Sequence, residues 1–266
     1  MYEGKNYKPT LPFAKKTPTE EDMVFGLRPV QEAMRSGKEV DKMFVEQGAR
    51  NPVLDEITAI ARERKINIQY VPAEKLNRLT RKAHQGVVAF VSVIHYAQIE
   101  NIVMDVFNRG EEPLILVLDG VTDVRNFGAI SRSAECAGVH AILIPIKGSA
   151  QVNSDAMKTS AGALSYIPVC KSEDLYRSIR YLKDSGLSVV ACTEKGSSKM
   201  HDTKMKGPLC LVMGSEESGI SEHILTLADQ KAFIPLVGKV ESLNVSVATG
   251  VFLFEVMRQR QLAMNS

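Results

Sequence analysis

Several familiar kinds of functional site are missing from this sequence of 266 residues. No GxGxxG follows the first predicted strand and no GxxxxGK[ST] occurs, which argues against dinucleotide sites and P-loop nucleotide sites. No GxSxG marks a serine hydrolase. The 5 histidines are scattered without the spacing of metal ligands, so we expect no metal centre. Other segments must therefore carry the chemistry.

Cysteine is scarce, and long apolar segments are absent. The 4 cysteines, Cys136, Cys170, Cys192 and Cys210, lie far apart and form no CxxC pair. Each lies in or beside an apolar run, which predicts small core residues in a reducing compartment rather than disulfides or metal ligands. The longest apolar runs have the length of strands, and the N-terminus has no apolar segment of signal-peptide type. We therefore expect a cytoplasmic protein that does not span a membrane.

The composition is ordinary for a soluble globular protein, with 44% hydrophobic and 24% charged residues. A net charge of +2 permits a nucleic-acid partner but does not require one. Residues 1–20 are polar and contain 3 prolines and 4 lysines, a composition that predicts a flexible tail.

Residues 21–96 predict a small α/β domain. Apolar periodicity predicts helices at 28–36, 52–64 and 75–79. It predicts strands at 42–46, 66–71 and 86–94.

Basic side chains bunch between positions 62 and 82 of this domain, and a histidine and a glutamine follow them just before the last strand. We predict an RNA-binding face, with a solvated helix surface as the alternative interpretation. The predicted RNA-binding residues are Arg62, Arg64, Arg78, Arg81, Lys82, His84 and Gln85.

Residues 97–113 predict an amphipathic linker helix, and 114–262 predict a second domain in which strands and helices alternate. Strands are expected at 114–118, 141–145, 188–192, 209–213 and 232–236. Helices are expected at 127–137, 154–164, 172–185, 222–228 and 245–260. Near-continuously apolar strands separated by helices indicate a parallel sheet covered on both faces. Ligands bind such sheets at the carboxyl ends of the strands.

Three motifs lie at these strand ends. NFGAISRSAE opens a helix and places Arg132 and Glu135 three positions apart on one face, although such a pair is commonly a surface salt bridge. MGSEESGI follows a strand, and its glycines allow close backbone approach to a ligand that Glu216 could orient. IPLVGKVESLNVSVA leads through a polar turn with Ser242 and Asn244 to a helix N-terminus. Such a turn is a favourable ligand site, and the alternative interpretation is an ordinary strand-to-helix connection.

Together these motifs resemble the signature set of the SpoU (TrmH-like) RNA 2′-O-ribose methyltransferases of the SPOUT superfamily. The resemblance covers residues 114–260. VFGLRPVQEAM and HQGVVAFV extend it to a preceding RNA-binding domain of ribosomal-protein type. It implies a deep trefoil knot in the C-terminal domain, S-adenosylmethionine as cofactor, and a homodimer. Two positions depart from the family: Val124 replaces a common proline and would lose a rigid turn, and Glu217 replaces a glycine and adds negative charge.

The resemblance also assigns roles to individual residues. It places Arg132 at the catalytic centre, surrounded by Asn126, Glu216, Ser242 and Asn244. It implies that the cofactor is held mainly by the backbone of Thr193, Gly214, Ile234, Leu236 and Leu243. Arginine is a poor base, since its pKa lies above about 12. We therefore expect Arg132 to bind a phosphate and stabilise the developing alkoxide, while a phosphate oxygen or water takes the proton.

The implied activity is methylation of a guanosine 2′-hydroxyl in large-subunit (23S) rRNA, the branch of the family with the greatest resemblance. A tRNA guanosine 2′-O-methyltransferase is the alternative within the same class. A non-catalytic RNA-binding or ribosome-assembly protein is the alternative outside it.

Overall fold

The computed structural model describes residues 22–264, so the tail predicted at 1–20 lies outside the described residues. The N-terminal domain contains helices α1 (Leu27–Arg35), α2 (Pro52–Glu63) and α3 (Ala73–Leu79). Its strands are β1 (Met23–Phe25), β2 (Val40–Glu46), β3 (Asn67–Val71) and β4 (Val87–Val91). They form a sheet in the order β1-β4-β2-β3, in which β4 runs antiparallel to both neighbours and β2 is parallel to β3.

The two faces of this sheet are covered by different helices. Helices α1 and α2 pack on one face around Met34, Met43 and Ile57. Helix α3 packs on the other face around Phe44 and Leu76. Successive residues of β2 point to opposite faces, which explains why Met43 and Phe44 belong to different cores.

The C-terminal domain is built on a parallel sheet of eight strands. Its strands are β5 (Tyr96–Ala97), β6 (Leu114–Asp119), β7 (Ala141–Pro145), β8 (Val169–Ser172), β9 (Ser188–Cys192), β10 (Ser198–Lys199), β11 (Leu209–Gly214) and β12 (Gln230–Phe233). Their order is β10-β12-β9-β11-β6-β7-β8-β5, and every neighbouring pair is parallel. The predicted α/β class with a parallel sheet is confirmed.

Helices cover both faces of this sheet, as the apolar strands predicted. The helices are α4 (Ile99–Asn108), α5 (Val124–Cys136), α6 (Ser154–Thr159), α7 (Leu175–Asp184), α8 (Glu222–Leu225) and α9 (Val245–Met264). One layer contains α5, α6 and α9 around Phe127 and Leu253. The other contains α4, α7 and α8 around Ile179 and Ile224. The trefoil knot implied by the resemblance stays a prediction.

Several predicted boundaries were wrong, each for a local reason. The strand predicted at 232–236 ends at Phe233, because Pro235 lacks the N–H that a sheet ladder requires and Leu236 is exposed. The helix predicted to continue to 164 ends at Thr159, since Ala161 and Gly162 adopt positive φ angles of 50° and 86°. Helix α7 begins at Leu175, not 172, because the Asp174 side chain caps it by accepting from Arg177 N at 3.1 Å.

The cysteine prediction was right for three residues of four. Cys170, Cys192 and Cys210 are buried, and burial raises the pKa of the Cys170 thiol to about 12. Cys136 is exposed, because it lies on the outward side of the last turn of α5. Over residues 22–264, no helix has the combination of length and apolar character needed to cross a membrane.

Candidate active site

A cavity of about 380 Å³ opens at the carboxyl ends of β9, β11 and β12 and extends to the first turns of α9. Parallel strands place such a cavity at this edge of the sheet. All five residues predicted to hold the cofactor line it: Thr193, Gly214, Ile234, Leu236 and Leu243.

Gly214 stands where no larger residue would fit. A Cβ at this position would lie 2.1 Å from the carbonyl carbon of Gly219 and 2.3 Å from the nitrogen of Ile220. Ser215 and Gly219 exchange two backbone hydrogen bonds of 3.1 and 3.0 Å, which fold the loop back against the end of β11. The absence of a side chain therefore lets two backbone segments meet at the wall of the cavity.

The remaining lining combines apolar and acidic groups. Met213, Phe252 and Ala248 supply apolar surface. Glu194, Glu216 and Glu241 also line the cavity, and no lysine or arginine among the described residues does. A slot with apolar walls and a few polar groups is typical of small-molecule sites, and its carboxylates favour a cationic ligand.

Beside the cavity, Asn126, Glu216 and Asn244 form a hydrogen-bonded cluster, called here the amide–carboxylate cluster. Glu216 Oε1 accepts from Asn244 Nδ2 at 2.6 Å, from Asn126 Nδ2 at 3.3 Å and from Val245 N at 3.3 Å. Asn244 Nδ2 also lies 3.0 Å from Asn126 Oδ1. The three motifs therefore meet here, although Asn126 and Asn244 are 118 positions apart.

The cluster is fixed by two helix N-termini. Asn244 caps α9, since its Oδ1 accepts from Ser246 N at 2.9 Å. Asp123 caps α5 by accepting from Arg125 N and Asn126 N, both at 2.8 Å. This cap fixes the turn that Val124 was expected to loosen. Both helix dipoles present their positive ends near Glu216, which stabilises its carboxylate.

Arg132 lies two turns along α5 from Asn126, is exposed and does not line the cavity. Within residues 22–264 its side chain makes no hydrogen bond or ion pair, so the possible salt bridge to Glu135 is not formed. Its guanidinium is therefore available to a phosphate. Ser242 is exposed and lines the cavity, and Glu217 is exposed in the loop after β11.

The basic residues predicted to bind RNA are divided between two faces of the N-terminal domain. Arg62 and Arg64 lie at the end of α2, whereas Arg78, Arg81 and Lys82 lie at and after the end of α3. These helices pack on opposite faces of the sheet, so the residues do not form one continuous stripe.

His84 and Gln85 hold the loop before β4 in place. His84 Nε2 lies 3.0 Å from Asn77 Oδ1, and His84 Nδ1 accepts from Gly86 N at 3.1 Å. Gln85 Oε1 accepts from Leu27 N at 3.0 Å and so satisfies a donor at the start of α1.

Sequence reasoning did not assign Glu194, Met213 or Val245 to the site. Glu194 and Met213 lie at the carboxyl ends of β9 and β11, so the rule that identified Thr193 and Gly214 would also have found them. Val245 acts through its backbone, which sequence does not distinguish. Within residues 22–264, no group of three or more His, Cys, Asp or Glu side chains is arranged to hold a metal ion.

The chain is similar in sequence and in fold to known RNA methyltransferases. Residues 113–254 match the model of the SpoU rRNA methylase family, and residues 23–97 match the model for RNA 2′-O ribose methyltransferase substrate binding. The chain is 37% identical to the 23S rRNA (guanosine-2′-O-)-methyltransferase RlmB of Photorhabdus laumondii, over 90% of this chain and 98% of that protein. It is also 37% identical to an uncharacterized tRNA/rRNA methyltransferase of Mycolicibacterium vanbaalenii, over 94% of this chain and 80% of that protein.

Among solved structures, the AdoMet-bound rRNA methyltransferase of Sinorhizobium meliloti is similar with a TM-score of 0.56 and 26% sequence identity. The match covers 90% of this chain and 88% of that one. Both domains are therefore included in the likeness.

Proposed function

Because the chain belongs to the SpoU rRNA methylase family, an S-adenosylmethionine-dependent group of RNA 2′-O-methyltransferases, we propose that it methylates a guanosine in large-subunit (23S) rRNA. The observation that carries this choice of substrate is the 37% identity to RlmB over nearly the full length of both proteins. The alignment spans the N-terminal domain as well as the methyltransferase domain, so it includes the residues that match the substrate-binding model.

The cavity suits S-adenosylmethionine. Thr193, Gly214, Ile234, Leu236 and Leu243 would hold the cofactor, chiefly through backbone groups, and Met213 and Phe252 offer apolar surface to an adenine ring. The three lining carboxylates suit a sulfonium cation. When bound, the cofactor would supply an activated methyl group, because a sulfonium that gives up its methyl group becomes a neutral thioether.

The protein's own task is then to align and activate the ribose hydroxyl. We propose that the amide–carboxylate cluster holds the starts of α5 and α9 in fixed positions beside the cavity, and that Ser242 lies at the edge where ribose enters. Arg132 binds the phosphate next to the target ribose and stabilises the alkoxide as it forms. The hydroxyl proton passes to a phosphate oxygen or to water, since a guanidinium does not act as a base at neutral pH.

The last helix supports the homodimer implied by the resemblance. Val247 and Phe254 on α9 are each 52% exposed, and Val251 lies between them, half-buried. An apolar face of this kind on a helix is typical of a subunit interface. Ala248 of the same helix packs toward the core and the cavity. Sedimentation analysis of Phe254→Glu tests the assignment: we expect a monomer, and an unchanged dimer would contradict it.

RNA binding by the N-terminal domain is proposed for its basic residues. Arg78 and Arg81 are exposed and neighbour Lys82 on the α3 side, while Arg62 and Arg64 lie on the other side. Replacing one phosphate-binding side chain by alanine should reduce the slope of log affinity against log salt concentration by about 1. His84 and Gln85 would act there mainly by holding the loop that carries the basic side chains.

The substrate is tested by methyl transfer from labelled S-adenosylmethionine to unmodified large-subunit rRNA and to bulk tRNA, with the labelled nucleotide mapped by its resistance to alkaline cleavage. We expect label at one guanosine of the large-subunit rRNA. Label in tRNA alone would favour the second candidate, which the tRNA/rRNA name of the mycobacterial relative supports. Failure to bind S-adenosylmethionine would favour a non-catalytic assembly role.

A further inference from the structure

The two domains meet at a buried carboxylate. Asp41 on β2 has a side chain that is only 6% exposed. Its Oδ1 accepts from Lys171 Nζ on β8 at 2.7 Å and from the Tyr96 hydroxyl on β5 at 2.6 Å. Its Oδ2 accepts from Val152 N at 3.3 Å. One carboxylate of the N-terminal domain is thus held by three segments of the C-terminal domain.

These contacts depend on one another. A buried carboxylate is unfavourable unless it is paired and hydrogen-bonded, and here Lys171 supplies the charge while Tyr96 and Val152 supply the remaining donors. The Lys171 ammonium also lies 3.9 Å from the centroid of the Tyr96 ring. Burial and the adjacent carboxylate raise the pKa of the Tyr96 hydroxyl well above its usual value, so it remains a donor. Moving the domains apart would break all three hydrogen bonds of the Asp41 carboxylate at once.

Two further contacts hold the opposite edges of the N-terminal sheet. Asp22, just before edge strand β1, accepts from Ser154 Oγ at 2.9 Å and from Ser154 N at 3.2 Å. Lys65, just before edge strand β3, forms an ion pair with Glu173. Asp41 lies on β2 between these edges. The contacts of the buried carboxylates Asp41 and Asp22 oppose hinge motion between the domains, and the exposed Lys65–Glu173 pair adds a weak restraint against twist.

We propose that Asp41, Lys171 and Tyr96 are positioning residues that lock the N-terminal domain in one orientation relative to the active site. RNA is then selected partly by the fixed distance between the surface that binds it and the site that methylates it. This role in selection rests on the proposed function, whereas the fixed orientation does not. The lock removes the cost of ordering two freely moving domains when RNA binds.

The orientation is tested by pulsed electron double resonance between two spin labels. Cys136 is the exposed native cysteine, and the other three are buried, so it accepts one label. Glu32→Cys on α1, at an exposed position, accepts the other. With labelled protein diluted in an excess of unlabelled protein, so that labels on different protomers of the proposed dimer contribute little, we expect one narrow distance distribution in the parent protein and a clearly broader one in Asp41→Ala. Lys171→Met gives a second test if Asp41→Ala fails to fold.

The matched control is Arg35→Ala, which removes an ion pair with Glu56 that lies wholly within the N-terminal domain. It should leave the distance distribution narrow. A broad distribution in the parent protein, or an equally narrow one in folded Asp41→Ala or Lys171→Met, would overturn the lock.

A kinetic measurement tests the role in selection. For a transcript of a whole large-subunit rRNA domain, loosening the junction should raise KM by about tenfold with little change in kcat, because the effective concentration of the second contact falls. Binding of S-adenosylmethionine should be unchanged. Lys171→Arg keeps the positive charge beside Asp41, so its KM should stay near that of the parent. Equal KM values for parent and loosened variants would refute selection by distance. If the parent methylates no rRNA, the proposed substrate fails, but the distance measurement still decides the lock.

Discussion

The close approach of two backbone segments at Gly214, in the wall of the candidate active site, gives the sharpest prediction. In Gly214→Ala, the new methyl group would lie 2.1 Å from the carbonyl carbon of Gly219, whereas ordinary contacts begin at 3.4 Å. The end of β11 and the following loop must therefore separate by roughly 1.3 Å, which disrupts the paired hydrogen bonds between Ser215 and Gly219. Overpacking costs about 1–3 kcal/mol, and each hydrogen bond contributes about 1 kcal/mol. With both hydrogen bonds disrupted, we expect a loss of about 3–5 kcal/mol, divided between folding stability and cofactor binding.

The assays are urea denaturation and calorimetric titration with S-adenosylmethionine. If half of this free energy is lost from cofactor binding, the affinity for S-adenosylmethionine decreases by about tenfold or more. Gly238→Ala is the matched control, because Gly238 lies in the loop between β12 and α9, other residues of which line the same cavity. A Cβ at Gly238 meets nothing within 4 Å. We expect it to change stability by less than about 0.5 kcal/mol. Gly214→Ala with the stability and affinity of the parent would refute the reasoning.

Three other changes give independent predictions. Asn244→Ala removes the cap of α9 and a hydrogen bond to Glu216, so we expect a loss of about 1 kcal/mol in urea unfolding and at least tenfold slower methyl transfer; parent-like values in both would contradict the cluster's role. Arg132→Ala should leave the free energy of unfolding within about 0.5 kcal/mol of the parent while methyl transfer falls by about a hundredfold. A guanidinium can bind a phosphate through two parallel N–H groups, which lysine lacks, so near-full turnover by Arg132→Lys would refute this form of phosphate binding. Hydrogen bonds from Arg258 and Gln259 lower the pKa of Glu255 in the folded protein, so the ionised carboxylate stabilises the fold above the ordinary glutamate pKa of about 4.3. This contribution is lost as pH falls through the lower pKa of the folded state. Glu255→Gln should therefore be less stable than the parent at pH 7 by about 1–2 kcal/mol, and a difference that persists at pH 2 would contradict this.

The residues predicted for the candidate site come together in the fold, whereas the basic residues of the N-terminal domain do not, and the reason is geometric. In a parallel sheet, every strand end lies at one edge, so the residues after β9, β11 and β12 had to converge whatever the details of the loops. The prediction failed inside these segments, where Pro235 ended a strand early. Hydrogen bonds that involve backbone groups, such as the one from Val245 N to Glu216, leave no signal in residue identity.

The N-terminal basic residues show where reading along the chain fails. Arg64 and Arg78 are 14 positions apart, yet the strand between their helices places them on opposite faces of one sheet. The junction between the domains was not predicted at all. Asp41 and Lys171 are 130 positions apart, and each is a charged residue in a largely buried strand whose sequence does not identify its partner.

Mapping of ribose methylation in cells tests the central claim most directly. Large-subunit rRNA from cells that lack this protein should have lost 2′-O-methylation at one guanosine, as measured by resistance to alkaline cleavage. The parent protein should restore it, whereas Arg132→Ala should not. An unchanged methylation pattern in large-subunit rRNA, or restoration by Arg132→Ala to the full level, would contradict the account.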